Sequence, residues 1–162
     1  MIWLRFESHL DAEPPTIWLH ATRMQGVNDE LSPMVRMSVP KAFACLTLRD
    51  APSGALLFNS WLLLLGLIPF DRHALRIEKQ WDYGFQEDSS SWLQRRWRHK
   101  RHVELMSRGS RLVDELEIEP RFLPERLIRL FVRLLFLQRH RWLRAHFGII
   151  EARPIEGEAA SR

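Results

Sequence analysis

The chain has 162 residues, 46% hydrophobic and 27% charged, which excludes disordered and collagen-like classes and fits one domain better than two. Its one cysteine, Cys45, excludes an internal disulfide and a cysteine-built zinc or iron–sulfur site, and points to a reducing compartment. A net charge of +4 hides an asymmetry, because residues 1–94 carry 8 Lys+Arg against 11 Asp+Glu whereas residues 95–149 carry 14 against 6.

Residues 2–10 alternate, with Ile2, Leu4, Phe6, Ser8 and Leu10 on one side, which predicts a half-buried strand. No basic segment followed by an apolar run and a small-residue cleavage site stands at the N-terminus, so a cytoplasmic location is expected. Pro14 and Pro15 suit a first helical turn, and Ile17, Trp18 and Ala21 share one face up to Gly26, predicting a helix over about 14–24. Residues 34–54 are poorly patterned, with a short strand at Met34 to Val39 and a turn at Ala51 to Gly54. Ala55 to Phe70 is apolar but shorter than a membrane helix needs, and Asn59, Ser60, Gly66 and Pro69 interrupt it, so a buried strand and a turn are expected.

A second strand follows, with Leu75, Ile77, Lys79, Trp81, Tyr83 and Phe85 at its odd positions, and Asp88 to Ser91 read as a turn. In Trp92 to Leu105 the even positions from 94 to 104 are all polar, so the odd face, with Arg95, Trp97, His99, Arg101 and Val103, is the inner one. Ser107 to Ser110 then closes a hairpin onto Arg111 to Glu119. Pairing 105 with 112 puts Arg101 opposite Leu116 and diagonal to Asp114, and a buried arginine needs that carboxylate.

Residues 122–147 change to a helical period. At 100° per residue Leu127, Phe131, Leu134, Leu135, Gln138, Trp142 and Ala145 fall on one side, with Arg126, Arg129, Arg133, His140 and Arg144 opposite. The arginine face is expected to be solvated; contact with an anionic membrane through it is the less favoured reading, and no nucleic acid is expected. Residues 149–162 read as a polar, disordered tail behind a single domain over 1–148.

A strand, a helical segment, an antiparallel meander and one long C-terminal helix make an α+β arrangement in which a curved antiparallel sheet wraps the last helix. Together with Trp18, Gly26 to Pro33, Trp61, Gly66 to Asp71, Gly84 to Glu87, Trp97 to Arg101 and Arg139 to Phe147, this order resembles the helix-grip superfamily of START domains and birch-pollen-allergen-like proteins (SRPBCC). The resemblance implies a cavity between sheet and last helix that takes an apolar small molecule or lipid. Trp61, Trp81, Tyr83, Phe85, Arg95, Trp97, His99, Arg101, Phe131, Leu134 and Trp142 are the candidate ligand-binding residues. The enzymatic alternative is a polyketide cyclase or dehydratase in which Arg101 polarises a carbonyl, His99 moves a proton and Asp114 supports them. No HExxH, Walker loop, GxGxxG or GxSxG is present, so neither a metal nor a cofactor is expected.

Overall fold

The computed structural model describes residues 1–45, 47, 48 and 51–150. A seven-stranded antiparallel sheet carries the chain in the order β1-β7-β6-β5-β4-β3-β2, and a C-terminal helix, α3, packs against its concave face. This is the helix-grip α+β arrangement read from the sequence.

Strand β1 (Ile2–Leu10) alternates as predicted, with Ile2, Ser8 and Leu10 buried. Two helices, α1 (Pro14–Ala21) and α2 (Met24–Leu31), follow where one was expected. The break lies at Thr22 and Arg23: the Thr22 hydroxyl donates back to the Trp18 carbonyl at 2.9 Å, and Arg23 is extended. Gly26 does not stop a helix but sits inside α2, because a Cβ there would lie 2.1 Å from the His20 carbonyl oxygen. Close approach of α1 and α2 requires that glycine.

Strand β2 (Val35–Met37) is the short edge strand on β3 (Leu56–Leu64), and Asn28 clasps its outer side. The Asn28 carboxamide donates to the Met37 carbonyl at 3.0 Å and accepts the Met37 amide at 2.7 Å. The apolar run at 55–70 therefore supplies β3 and the start of β4 (Ile68–Trp81). No helix among the described residues is long and apolar enough to cross a membrane.

Two turns differ from the sequence reading. Trp81 pairs with Gly84, so Asp82 and Tyr83 form a tight turn with Tyr83 at φ 56°, where an unbroken strand was expected. Odd positions face inward on both strands because a bulge between Ile77 and Lys79 offsets the reversal that the two-residue turn makes. Conversely, Asp88 to Ser91 belong to β5 (Gly84–Ser91), and the turn falls at 92–93. The serines fit a strand because their hydroxyls fill irregular hydrogen bonds: Ser89 accepts the Arg76 amide and Ser91 the Gln94 amide.

Strands β6 (Gln94–Leu105) and β7 (Ser110–Pro120) form the expected hairpin, but Leu105 pairs with Ser110 rather than residue 112. Arg101 consequently lies directly opposite Asp114. A bulge between Gln94 and Arg96 breaks the alternation at the start of β6, turning Gln94 inward and Arg95 outward. Beyond α3 (Glu125–Phe147), Ile149 bridges Leu10 and the Ile150 amide bonds the His9 carbonyl, so these two residues, expected in the tail, lie along β1. Residues 151–162 of the expected tail lie outside the described residues.

Helix α3 buries a different face from the one its leucines suggest. Ile128, Val132, Leu135, Phe136, Arg139, His140 and Leu143 point inward, while Leu127, Leu130, Leu134 and Leu137 are about half exposed. Apolar averaging misplaces the face because it counts Arg139 and His140 as outward residues. Both are buried on ionic partners.

Candidate functional site

Beneath α3, Glu30, Arg101 and Asp114 are fully buried and joined to one another. Arg101 Nε and Nη2 donate to the two Asp114 oxygens at 2.7 and 2.8 Å, and Nη1 donates to Glu30 at 2.9 Å. Arg139 completes Glu30 with two bonds at 3.0 and 2.8 Å. Cross-strand register on β6 and β7 supplies the first pair, and α2 and α3 bring Glu30 and Arg139 onto it. Paired, bidentate geometry is what makes such charges tolerable in an apolar interior.

Three imidazoles extend the cluster. His99 and His140 each approach Asp114 through Nε2, at 2.8 and 3.0 Å, and His73 Nε2 lies 2.6 Å from Glu87. The second Glu87 oxygen lies 3.8 Å from His99 Nδ1, a charge contact rather than a hydrogen bond. A carboxylate only accepts, so each of these Nε2 atoms carries the hydrogen. His140 Nδ1 then accepts from the Ser8 hydroxyl, which in turn accepts from Arg144.

Burial alone raises each carboxyl of the cluster, and its partners more than reverse that. The charges of Arg101 and His99 hold Asp114 well below the usual range, Arg101 and Arg139 lower Glu30, and the hydrogen bond from His73 lowers Glu87. All three stay ionised at neutral pH.

Next to this cluster lies a cavity of about 100 Å³. Apolar side chains from α2, β2, β4 and α3, among them Val27, Val35, Leu75, Phe131, Val132 and Leu135, make most of its wall. One stretch of wall is polar, formed by Asp71, His73, Glu87, Gln94, His99 and Arg139.

Of the residues singled out in the sequence, Phe85, Trp97, His99 and Phe131 line this cavity. Arg101 and Asp114 lie in the ion cluster and not in the wall: Arg101 is fully buried, bonds Asp114 and Glu30 through all three of its nitrogens, and does not reach the cavity. Arg95 faces solvent beside Glu119 because of the bulge. Trp61 packs edge-to-face with the exposed Trp92 outside the sheet, and Trp81 and Leu134 are partly exposed. Tyr83 sits in its turn, and Trp142 stacks against both His20 and His146.

Sequence reasoning missed Asp71, His73, Glu87, Gln94 and Arg139. His73 shares the parity of Leu75 and Ile77 and could have been found by carrying their alternation back two residues. Glu87 has the parity of Phe85 and was hidden only by the turn expected after it. Nothing local marks Gln94, whose inward turn depends on the bulge.

A search of the curated proteins found no match. Among solved structures, the chain is similar to protein CV1439 from Chromobacterium violaceum, at 15% identity, TM-score 0.69, and coverage of 90% of this chain and 96% of that one. It is also similar to a START superfamily protein from Mycobacterium smegmatis, at 9% identity, TM-score 0.65, and coverage of 90% and 96%. The Zhui aromatase/cyclase from Streptomyces sp. R1128 matches at 8% identity, TM-score 0.64, and coverage of 90% and 92%. Such identities establish the shared helix-grip fold, as the sheet and helix had indicated. The family described as a domain of unknown function, DUF8410, matches residues 8–147, and the chain belongs to that family.

Proposed function

We propose that this protein binds a compact, mainly apolar small molecule in the cavity beneath α3. The observation that carries the reading is the cavity itself: about 100 Å³, walled mainly by apolar side chains, with a few polar groups among them. Its size bears on the ligand. An engineered apolar cavity of about 150 Å³ takes up benzene, so this smaller one sets a limit of about a single ring, and a lipid chain would need its walls to part. An enzymatic role through Arg101 has less support, because that guanidinium is paired with Asp114 and Glu30 and does not line the cavity.

Native mass spectrometry of the purified protein tests for a ligand that accompanies it, and toluene binding followed by NMR tests the cavity directly. Val27→Phe and Leu62→Trp each project added volume into the space, so toluene affinity is expected to fall by at least about tenfold in both. Unchanged affinity in both variants would place the binding elsewhere and end the proposal.

A second reading has its own observation. Leu127, Leu130, Leu134 and Leu137 form an exposed ridge at spacings of three and four, and Arg126, Arg129 and Arg133 stand exposed beside it. A surface helix that combines such a ridge with cations fits an anionic membrane surface. Co-sedimentation with phosphatidylserine vesicles, but not with phosphatidylcholine vesicles, is the expected result. It should be lost in the Arg129→Glu and Arg133→Glu double variant while toluene binding is kept, and equal sedimentation with both vesicle types would rule this reading out.

A further inference from the structure

The polar part of the cavity wall is not uniform. Glu87, His99 and Arg139 are held by the ion cluster, but Asp71, His73 and Gln94, each more than nine-tenths buried, keep hydrogen-bonding groups for which the described residues offer no partner. His73 donates through Nε2 to Glu87, and in the neutral imidazole its Nδ1 is a lone-pair acceptor with nothing donating to it. Asp71 Oδ1 takes the backbone amides of Arg72 and Leu93, at 2.8 and 3.2 Å, while Oδ2 takes none. The Gln94 carboxamide makes no hydrogen bond at all; only its backbone amide is used, on Ser91.

These three side chains belong together. Asp71 and His73 stand two apart on β4 and point to the same face, and the bond from Leu93 to Asp71 brings the start of β6, with Gln94, beside them. The cavity touches all three. Their unpartnered atoms are reached from the cavity and face a mainly apolar space, so the three form a set that a molecule in the cavity can complete.

Resting on the reading of this cavity as a ligand site, we infer that its ligand is a compact apolar molecule ending in a hydroxyl group, which donates to His73 Nδ1 or Asp71 and accepts from the Gln94 carboxamide. The assignment follows from the donor count. His73 Nδ1, Asp71 Oδ2 and the Gln94 carbonyl oxygen are acceptors and need a hydrogen, whereas the Gln94 amide hydrogens need an oxygen. An ammonium supplies only hydrogens and a ketone only an oxygen; a hydroxyl supplies both. The apolar remainder of the wall excludes a second polar group and makes the molecule one-ended.

p-Cresol and p-xylene share a shape and differ by a hydroxyl in place of a methyl, so their relative affinity, measured by calorimetry on the whole chain, reads the set directly. The wild type is expected to prefer p-cresol by at least about tenfold, although p-xylene is the more hydrophobic. Gln94→Leu keeps the volume and breaks no side-chain hydrogen bond within the protein, so it should fold normally and lose most of the preference. The ¹⁵N resonance of His73 Nδ1 in the wild type provides a reading that needs no variant: p-cresol should move it and p-xylene should not.

Equal affinity of the two compounds would mean that water completes the set; it would overturn the inference and leave the apolar-cavity reading standing. A preference that survives in Gln94→Leu with His73 unmoved would overturn the inference by placing the hydroxyl elsewhere. If the wild type binds neither compound, both the inference and the reading beneath it fail.

Discussion

Replacing Arg101 with alanine is expected to lower the free energy of unfolding by about 3–5 kcal/mol, a large part of the roughly 5–15 kcal/mol that stabilises an ordinary domain. The reason is what remains behind. Asp114 and Glu30 are fully buried, and without Arg101 the first loses its only guanidinium while the second keeps Arg139 alone. Urea unfolding measures the loss. The double variant Arg101→Ala and Asp114→Ala should be more stable than the sum of its single changes predicts, by about 1 kcal/mol or more, since it removes the stranded charge along with its partner. Strict additivity would show that the two side chains do not act as a pair.

Acid should unfold the protein steeply. The folded-state carboxyls of Glu30, Glu87 and Asp114 all lie below their ordinary values, so the unfolded chain takes up protons first as the pH falls. Stability from these groups is therefore complete above their unfolded values of 4.5 and 3.8 and is lost as the pH drops through and below them. Each proton contributes a slope of about 1.4 kcal/mol per pH unit, so the three together approach about 4 kcal/mol per unit below pH 4. His20, lowered from 6.5 chiefly by burial, has the same sign and adds a gentler decline beginning near pH 6.5. Thermal unfolding across pH 3–8 checks this. In Glu87→Gln the acid limb should become shallower by roughly a third, and a limb of unchanged slope would remove Glu87 from the account.

How far the sequence revealed this architecture depended on whether a signal was local. The alternation of β1, the β6–β7 hairpin and the long last helix are periodic over nine or more residues, and periodicity survives the loss of any one position. The meeting of Arg101 with Asp114 followed from the cost of burying an arginine, even though the true register differs by two residues, because a shift of two keeps every side chain on its face. Residues whose orientation depends on a single irregularity were illegible. The bulge at Gln94 exchanged the roles of Gln94 and Arg95, and the tight turn at Tyr83 split what looked like one strand. The helix phase failed for a different reason. Arg139 and His140 are buried because Glu30 and Asp114, distant in sequence, wait for them, and hydropathy within the helix cannot register partners on other elements.

The Asn28 clasp on Met37 bears on how the molecule behaves among copies of itself. The outer side of an edge strand normally offers free amide and carbonyl groups, which let a strand from another chain add to the sheet and begin aggregation. Here the edge strand is three residues long, and at Met37 both outward groups are already taken by one carboxamide, which imitates the strand that would otherwise dock. The same carboxamide ties α2, which carries Glu30 and Val27, to the sheet margin. Cover for this edge at Met37 and the placing of one wall of the cavity thus share a single side chain.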